Sequence, residues 1–80
     1  MKRIIWTEPA RTDVRRLDKP AAMRIFATLH RFAETGEGDV KALQGRDELR
    51  LRIADYRLFF VATADAIEVR RVLHRSEAYR

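Results

Sequence analysis

Two links of two residues each constrain this chain more than anything else in it. Ala54-Asp55 and Ala64-Asp65 interrupt a stretch dense in leucine, isoleucine, valine and aromatic residues. A gap that short joins strands only as antiparallel neighbours. Residues 48–53 alternate cleanly, with Leu49, Leu51 and Ile53 on one side and Arg50 and Arg52 on the other. Residues 56–63 form a nearly continuous apolar run, the pattern of a central strand buried on both faces. Residues 66–73 complete an antiparallel meander.

The segments upstream supply what the meander packs against. Residues 3–7, Arg-Ile-Ile-Trp-Thr, read as a short first strand. Thr7 can cap the helix that follows, Glu8 favours its positive end, and Pro9 is tolerated in its first turn. Ala10, Val14 and Leu17 then recur at helical spacing. Asp18-Lys-Pro20 breaks this helix and caps a longer one over about residues 20–34, whose inward face is Ala22, Ile25, Phe26, Leu29, Phe32 and Ala33. Gly36 suits the left-handed position that ends a helix. Residues 39–47 read as a polar connection pinned by Val40 and Leu43. The order is β-α-α-β-β-β, an α+β domain over residues 1–80 with a helical hairpin packed on one face of a small, antiparallel-rich twisted sheet. The second face of that sheet is either solvated or a working surface.

Composition narrows what such a surface does. The 80 residues carry a net charge of +5, and 14 of the 17 basic side chains are arginine. Arginine grips phosphate in a planar fork and stacks on bases, so nucleic acid leads over an anionic membrane or an acidic protein as the partner class. There is no cysteine, and the two histidines lack metal-ligand spacing, so neither metal nor cofactor is expected. No apolar run approaches the ~20 residues that cross a bilayer, and the N-terminus lacks a signal-peptide stretch. A cytoplasmic location is the expectation. Nucleophile-elbow and phosphate-cradling glycine patterns are absent, and so is a convincing carboxylate pair.

Arg50 and Arg52, two apart on one strand, project to the same side roughly 7 Å from each other. The pair alone reads equally as an ordinary solvated face or as half of an anion site. Arg57 says more, because a charge just inside a central strand is costly unless partnered. It pairs with Asp55 or Asp65, or it joins Arg50 and Arg52 on the open face; the short turns favour the second. His74 and Arg75 follow the last strand, His74 being able to titrate near neutrality where His30 sits mid-helix. Tyr79 reads equally as a base-stacking ring or as a core anchor for the tail.

Three elements at these separations, Leu43-Gln-Gly45, Asp55-Tyr-Arg57, and His74-Arg75 followed by Tyr79, resemble the RelE/ParE superfamily of type II toxins. Members similar to RelE cleave messenger RNA in the ribosomal A site without a metal: the ribose 2′-hydroxyl attacks the adjacent phosphate and the 5′-oxygen leaves. The resemblance implies that Arg57 stabilises the phosphate, that Arg50 and Arg52 are the basic strand positions, and that Tyr79 stacks on a base. Arg52 stands where lysine is frequent, so it acts as an electrostatic clamp. Leu73 stands where RelE has an arginine, which leaves His74 as the expected acid/base group. The resemblance also implies a cognate antitoxin, the ribosome and its A-site messenger as partners. Arg75 would then bind RNA, and Arg11, Arg15, Arg24 and Arg31 would meet ribosomal RNA phosphates. A ParE-like relative shares the fold but blocks DNA gyrase without cutting RNA. A stand-alone binding domain whose basic face serves only its antitoxin is the third reading.

Overall fold

A computed structural model describes residues 1–78. Its elements run β1 (Arg3–Trp6), α1 (Glu8–Arg15), α2 (Lys19–Thr35), β2 (Asp39–Ala42), β3 (Leu49–Ile53), β4 (Tyr56–Ala62), β5 (Ala66–His74) and α3 (Arg75–Ala78). The five strands form one sheet in the order β1-β5-β4-β3-β2. All neighbours are antiparallel except β1, which runs parallel to β5. The α+β architecture, the meander and the central place of β4 match the sequence reading. No described helix is long and apolar enough to cross a membrane.

The helices begin where side chains can satisfy their first backbone N–H groups. Thr7 Oγ1 accepts from the Ala10 N–H at 3.4 Å and donates to the Val69 carbonyl at 2.8 Å, so one residue caps α1 and ties it to β5. Asp18 accepts from the Ala21 N–H at 3.1 Å and opens α2. Gly36, with φ of 78°, ends α2 in the left-handed conformation that costs glycine nothing. Ala10 from α1 and Ile25, Leu29 and Ala33 from α2 then bury against Leu51, Ile53, Leu58, Phe60, Ile67, Val69 and Val72. Phe26 departs from the expected inward face. It stays 43% exposed, with its ring edge-on to Trp6 at 5.6 Å, because the sheet edge at β1 is too short to cover it.

Two features of the sheet, besides the short helix α3 after β5, also differ from the sequence reading. Residues 39–42, expected as a connection, form β2 on the sheet edge. All four are exposed, Val40 at 36%, so no apolar alternation announces them. They pair because β3 would otherwise leave a row of backbone donors and acceptors open. Gly38 admits the chain to this edge, since a Cβ there would lie 2.8 Å from Leu51 Cδ1 and 3.2 Å from Phe32 Cδ1. The second feature is a bulge in β5. Phe59 pairs with Arg71 and Phe60 with Val69, which leaves Arg70 as the extra residue. Ile67, Val69 and Val72 therefore all face the helices although the last interval is three residues.

Candidate nucleic-acid interface

Alternation on either side of that bulge sorts the uncovered face. The register sets Arg52 directly across from Arg57, Arg50 across from Phe59, Lys41 across from Arg50, and Asp39 across from Arg52. Arg57 is matched in turn by Leu73, and Phe59 by Arg71. Four cations, Lys41, Arg50, Arg52 and Arg57, thus occupy adjoining positions of three neighbouring strands. Like charges directly opposite each other destabilise a sheet. Among these register neighbours only Asp39, across from Arg52, carries the opposite charge, so an anion lying over the cluster would relieve the repulsion between Arg52 and Arg57.

Arg57 is the centre of the cluster and only 9% exposed. Neither Asp55 nor Asp65 pairs with it. Its Nη1 donates instead to the Ala54 carbonyl at 3.1 Å and the Tyr56 carbonyl at 2.9 Å. Its Nε is buried with no hydrogen-bond partner among the described residues. Ala54 has φ of 52°, the positive value that a two-residue hairpin demands of a central residue. That turn aims its carbonyl back at the guanidinium. The outcome is a nearly buried cation fixed by neutral carbonyls, with no carboxylate within ion-pair distance among the described residues. Burying a charge without a counter-charge is costly, and a phosphate removes that cost.

The other expected residues are placed as follows. Arg50 is half-buried and Arg52 exposed, both beside Arg57. His74 does not join them. Its register partner is Tyr56, so it lies toward the helix-covered face, its ring edge-on to Tyr56 at 5.6 Å. Its Nδ1 lies 2.9 Å from Ser76 Oγ and accepts from the Ser76 N–H at 3.2 Å. The strand ends at His74 itself, one residue later than the sequence suggested, and this gives His74 its facing. Arg75 is exposed, 3.9 Å from Asp55. Arg11, Arg15, Arg24 and Arg31 all sit on the helix layer, away from the arginine-rich sheet face; Arg15 approaches Glu8 at 3.9 Å and Arg31 bonds Glu37 at 2.9 Å. Tyr79 lies outside the described residues.

Sequence reasoning missed Lys41, Glu48, Phe59 and the buried Asp13. Glu48 shares period two with Arg50 and Arg52, and Phe59 shares it with Arg57, so both were open to detection. Lys41 was not, because its strand carries no apolar signal. Asp13 stands in α1 where β1 no longer covers β5. Its Oδ2 accepts from the Val72 N–H at 2.9 Å and from Arg71 Nε at 2.8 Å, and its Oδ1 accepts from Arg71 Nη2 at 3.0 Å. Burial pushes this carboxyl up, but the Arg71 bonds, the Val72 N–H and the nearby Arg16 charge outweigh it and hold the group below the usual aspartate value.

Comparisons with known proteins bear on this geometry. Residues 4–79 match the family model described as the ParE toxin of type II toxin-antitoxin system, parDE. A search among curated proteins gave no match. Among solved structures, the chain resembles the RelB-RelE antitoxin-toxin complex from Methanococcus jannaschii at 22% identity and a TM-score of 0.77, covering 94% of each chain. It resembles the archaeal RelE-RelB complex from Pyrococcus horikoshii OT3 at 20% identity and 0.79, covering 96% of this chain and 98% of that one. For the intact E. coli RelBE complex the values are 21% and 0.75, with 90% and 94% covered. Identities this low carry the fold and nothing finer. The family match spans nearly the whole chain, and by it the chain belongs to the ParE toxin family within the RelE/ParE superfamily, as the toxin of a type II toxin-antitoxin system.

Proposed function

We propose that this toxin is a ribosome-dependent endoribonuclease that cuts messenger RNA in the A site by attack of a ribose 2′-hydroxyl on the adjacent phosphate, forming a 2′,3′-cyclic phosphate and breaking the bond to the 5′-oxygen, with solvent taking the 2′-hydroxyl proton and supplying one to the departing 5′-oxygen. The observation that carries the reading is Arg57, a nearly buried guanidinium held by two carbonyls, with no partner for its Nε and no carboxylate beside it among the described residues. A pentacoordinate phosphorane gains negative charge on its non-bridging oxygens as the 2′-oxygen attacks. Donors already fixed before that charge develops stabilise it most. Arg57 donates to one such oxygen, and Arg50 and Arg52 flank it from the neighbouring strand. Arginine keeps its proton at neutral pH, so these residues orient the phosphate and offset charge without shuttling protons. His74 lies toward the other face and takes no part in this reading. Tyr79 is assigned the stacking role on the strength of the resemblance alone.

Solved relatives are complexes of RelE with RelB, and the partner assigned to this chain is likewise a cognate antitoxin. An acidic antitoxin segment over Lys41, Arg50 and Arg52 would mask the cluster, with capture speeded by electrostatic steering. A ribosome and an antitoxin as partners imply a cytoplasmic location.

Primer extension on a defined messenger in a reconstituted translation reaction tests the activity. Cuts within codons that need the ribosome are expected, and Arg57→Ala should slow them by about 100-fold or more. The family match to a ParE toxin favours a second reading, inhibition of DNA gyrase. Folded protein that leaves messenger intact but blocks supercoiling would decide for gyrase.

A further inference from the structure

Beside the arginine cluster the sheet face holds a hollow of about 210 Å³ lined by Arg46, Glu48, Phe59, Arg71, Leu73 and Ala78. It adjoins the cations directly. Phe59 is the register partner of Arg50, Leu73 is that of Arg57, and Glu48 precedes Arg50 by two residues. The floor is apolar, formed by Leu73 and by a Phe59 that is only 5% exposed. One wall is the Glu48 carboxylate, 15% exposed and paired with the Arg46 guanidinium. Another is Arg71, whose Nε and Nη2 are committed to Asp13, so that its orientation is fixed.

Such a hollow is smaller than the usual pocket for a drug-sized ligand and has the room for one planar heterocycle. Its chemistry is an apolar floor with a carboxylate and a guanidinium side by side on the rim. An unpaired nucleobase next to a bound phosphate satisfies both demands, since its face packs on the floor and its edge meets the polar pair. Guanine is the base whose Watson–Crick edge presents two adjacent donors, N1–H and the 2-amino group, to the two oxygens of one carboxylate. Its O6 accepts from the neighbouring guanidinium. Adenine, cytosine and uracil each offer one donor on that edge.

We infer that this hollow is a guanine-binding subsite in which Glu48 accepts from N1–H and the 2-amino group and Arg46 donates to O6. The inference rests on the proposed phosphate site at Arg57, because that site sets which nucleotide reaches the hollow.

The test is titration of the four 3′-mononucleotides into the ¹⁵N-labelled protein at low salt. The 3′-GMP should bind about tenfold or more tighter than 3′-AMP, 3′-CMP or 3′-UMP, with shifts at Glu48, Phe59 and Leu73. The inosine analogue, lacking the 2-amino group, should lose about tenfold, and Glu48→Gln should erase the preference in protein with an unchanged circular dichroism spectrum. Equal binding of all four nucleotides, binding of none, or a preference that survives Glu48→Gln overturns the subsite. The two readings separate cleanly. A guanine preference in a protein that cuts no messenger leaves the subsite standing and removes the ribonuclease. Ribosome-dependent cuts with an unchanged base pattern in Glu48→Gln do the reverse.

Discussion

Arg57 sets a conflict between stability and activity at the level of one side chain. A buried cation without a counter-charge weakens a fold, and an apolar residue of similar length removes that cost. Arg57→Met should therefore raise unfolding free energy by about 1 kcal/mol in urea while abolishing messenger cleavage. A loss of stability would instead make the arginine a brace for its turn. Ala54, whose carbonyl holds Arg57, pays for its left-handed backbone. Ala54→Gly should stabilise by about 0.5–1 kcal/mol, less the extra freedom glycine gains when unfolded; a lower urea midpoint would contradict this. The charge of Arg57 inside an apolar strand was legible in the sequence as a problem needing a solution. Its solution was not, because it depends on the carbonyl directions of a turn that only backbone geometry supplies.

Elements were legible wherever their pattern answered to the core. The meander and the helices α1 and α2 follow from apolar periodicity, whereas β2 answers only to the open edge of β3 and has no such signature. The bulge was half-visible: Val69-Arg70-Arg71-Val72 spaces two inward valines by three, which no regular strand allows. The same holds for α1, where Asp13 falls in the Ala10, Val14, Leu17 stripe and so had to find partners. It finds them at the exposed end of β5, where it substitutes for the strand that β1 is too short to provide. Asp13→Asn should lower stability by about 2 kcal/mol at pH 7, since it removes the ion pair and leaves Arg71 with a weaker acceptor. The pH dependence has a defined sign. The carboxyl is held below its ordinary value, so its contribution is full above the unfolded aspartate pKa of about 3.9 and is lost as pH falls through the lower folded value. The gap between wild type and Asp13→Asn should begin to close below about pH 5 and vanish once pH has fallen through the lowered folded value, as read in urea titrations. A gap constant over that interval would mean the charge is immaterial.

Across the whole molecule, basic charge is divided between two sides. Lys41, Arg50, Arg52 and Arg57 stand on the sheet, and Arg11, Arg15 and Arg24 on the helix layer. The least dimension of the protein is 23 Å, well beyond the screening length of about 8 Å in physiological salt, so the two sides act independently. If ribosomal RNA meets the helix layer while the messenger meets the sheet, Arg11→Ala/Arg15→Ala should reduce the salt dependence of ribosome binding by about one phosphate contact per arginine. An unchanged slope would move that contact elsewhere. The parallel pairing of β1 with β5 has a different kind of consequence. The Thr7 bond to Val69 spans 62 residues, and β5 is the strand that must be inserted between β1 and β4 to complete the sheet. During synthesis the first strand therefore waits, unpaired, until the chain has grown past the last. Contacts of that range come late in folding. A nascent chain can close the β3–β4 hairpin that carries Arg50, Arg52 and Arg57 as soon as both strands have emerged, whereas the sheet is complete only once β5 has followed and taken its place beside β1.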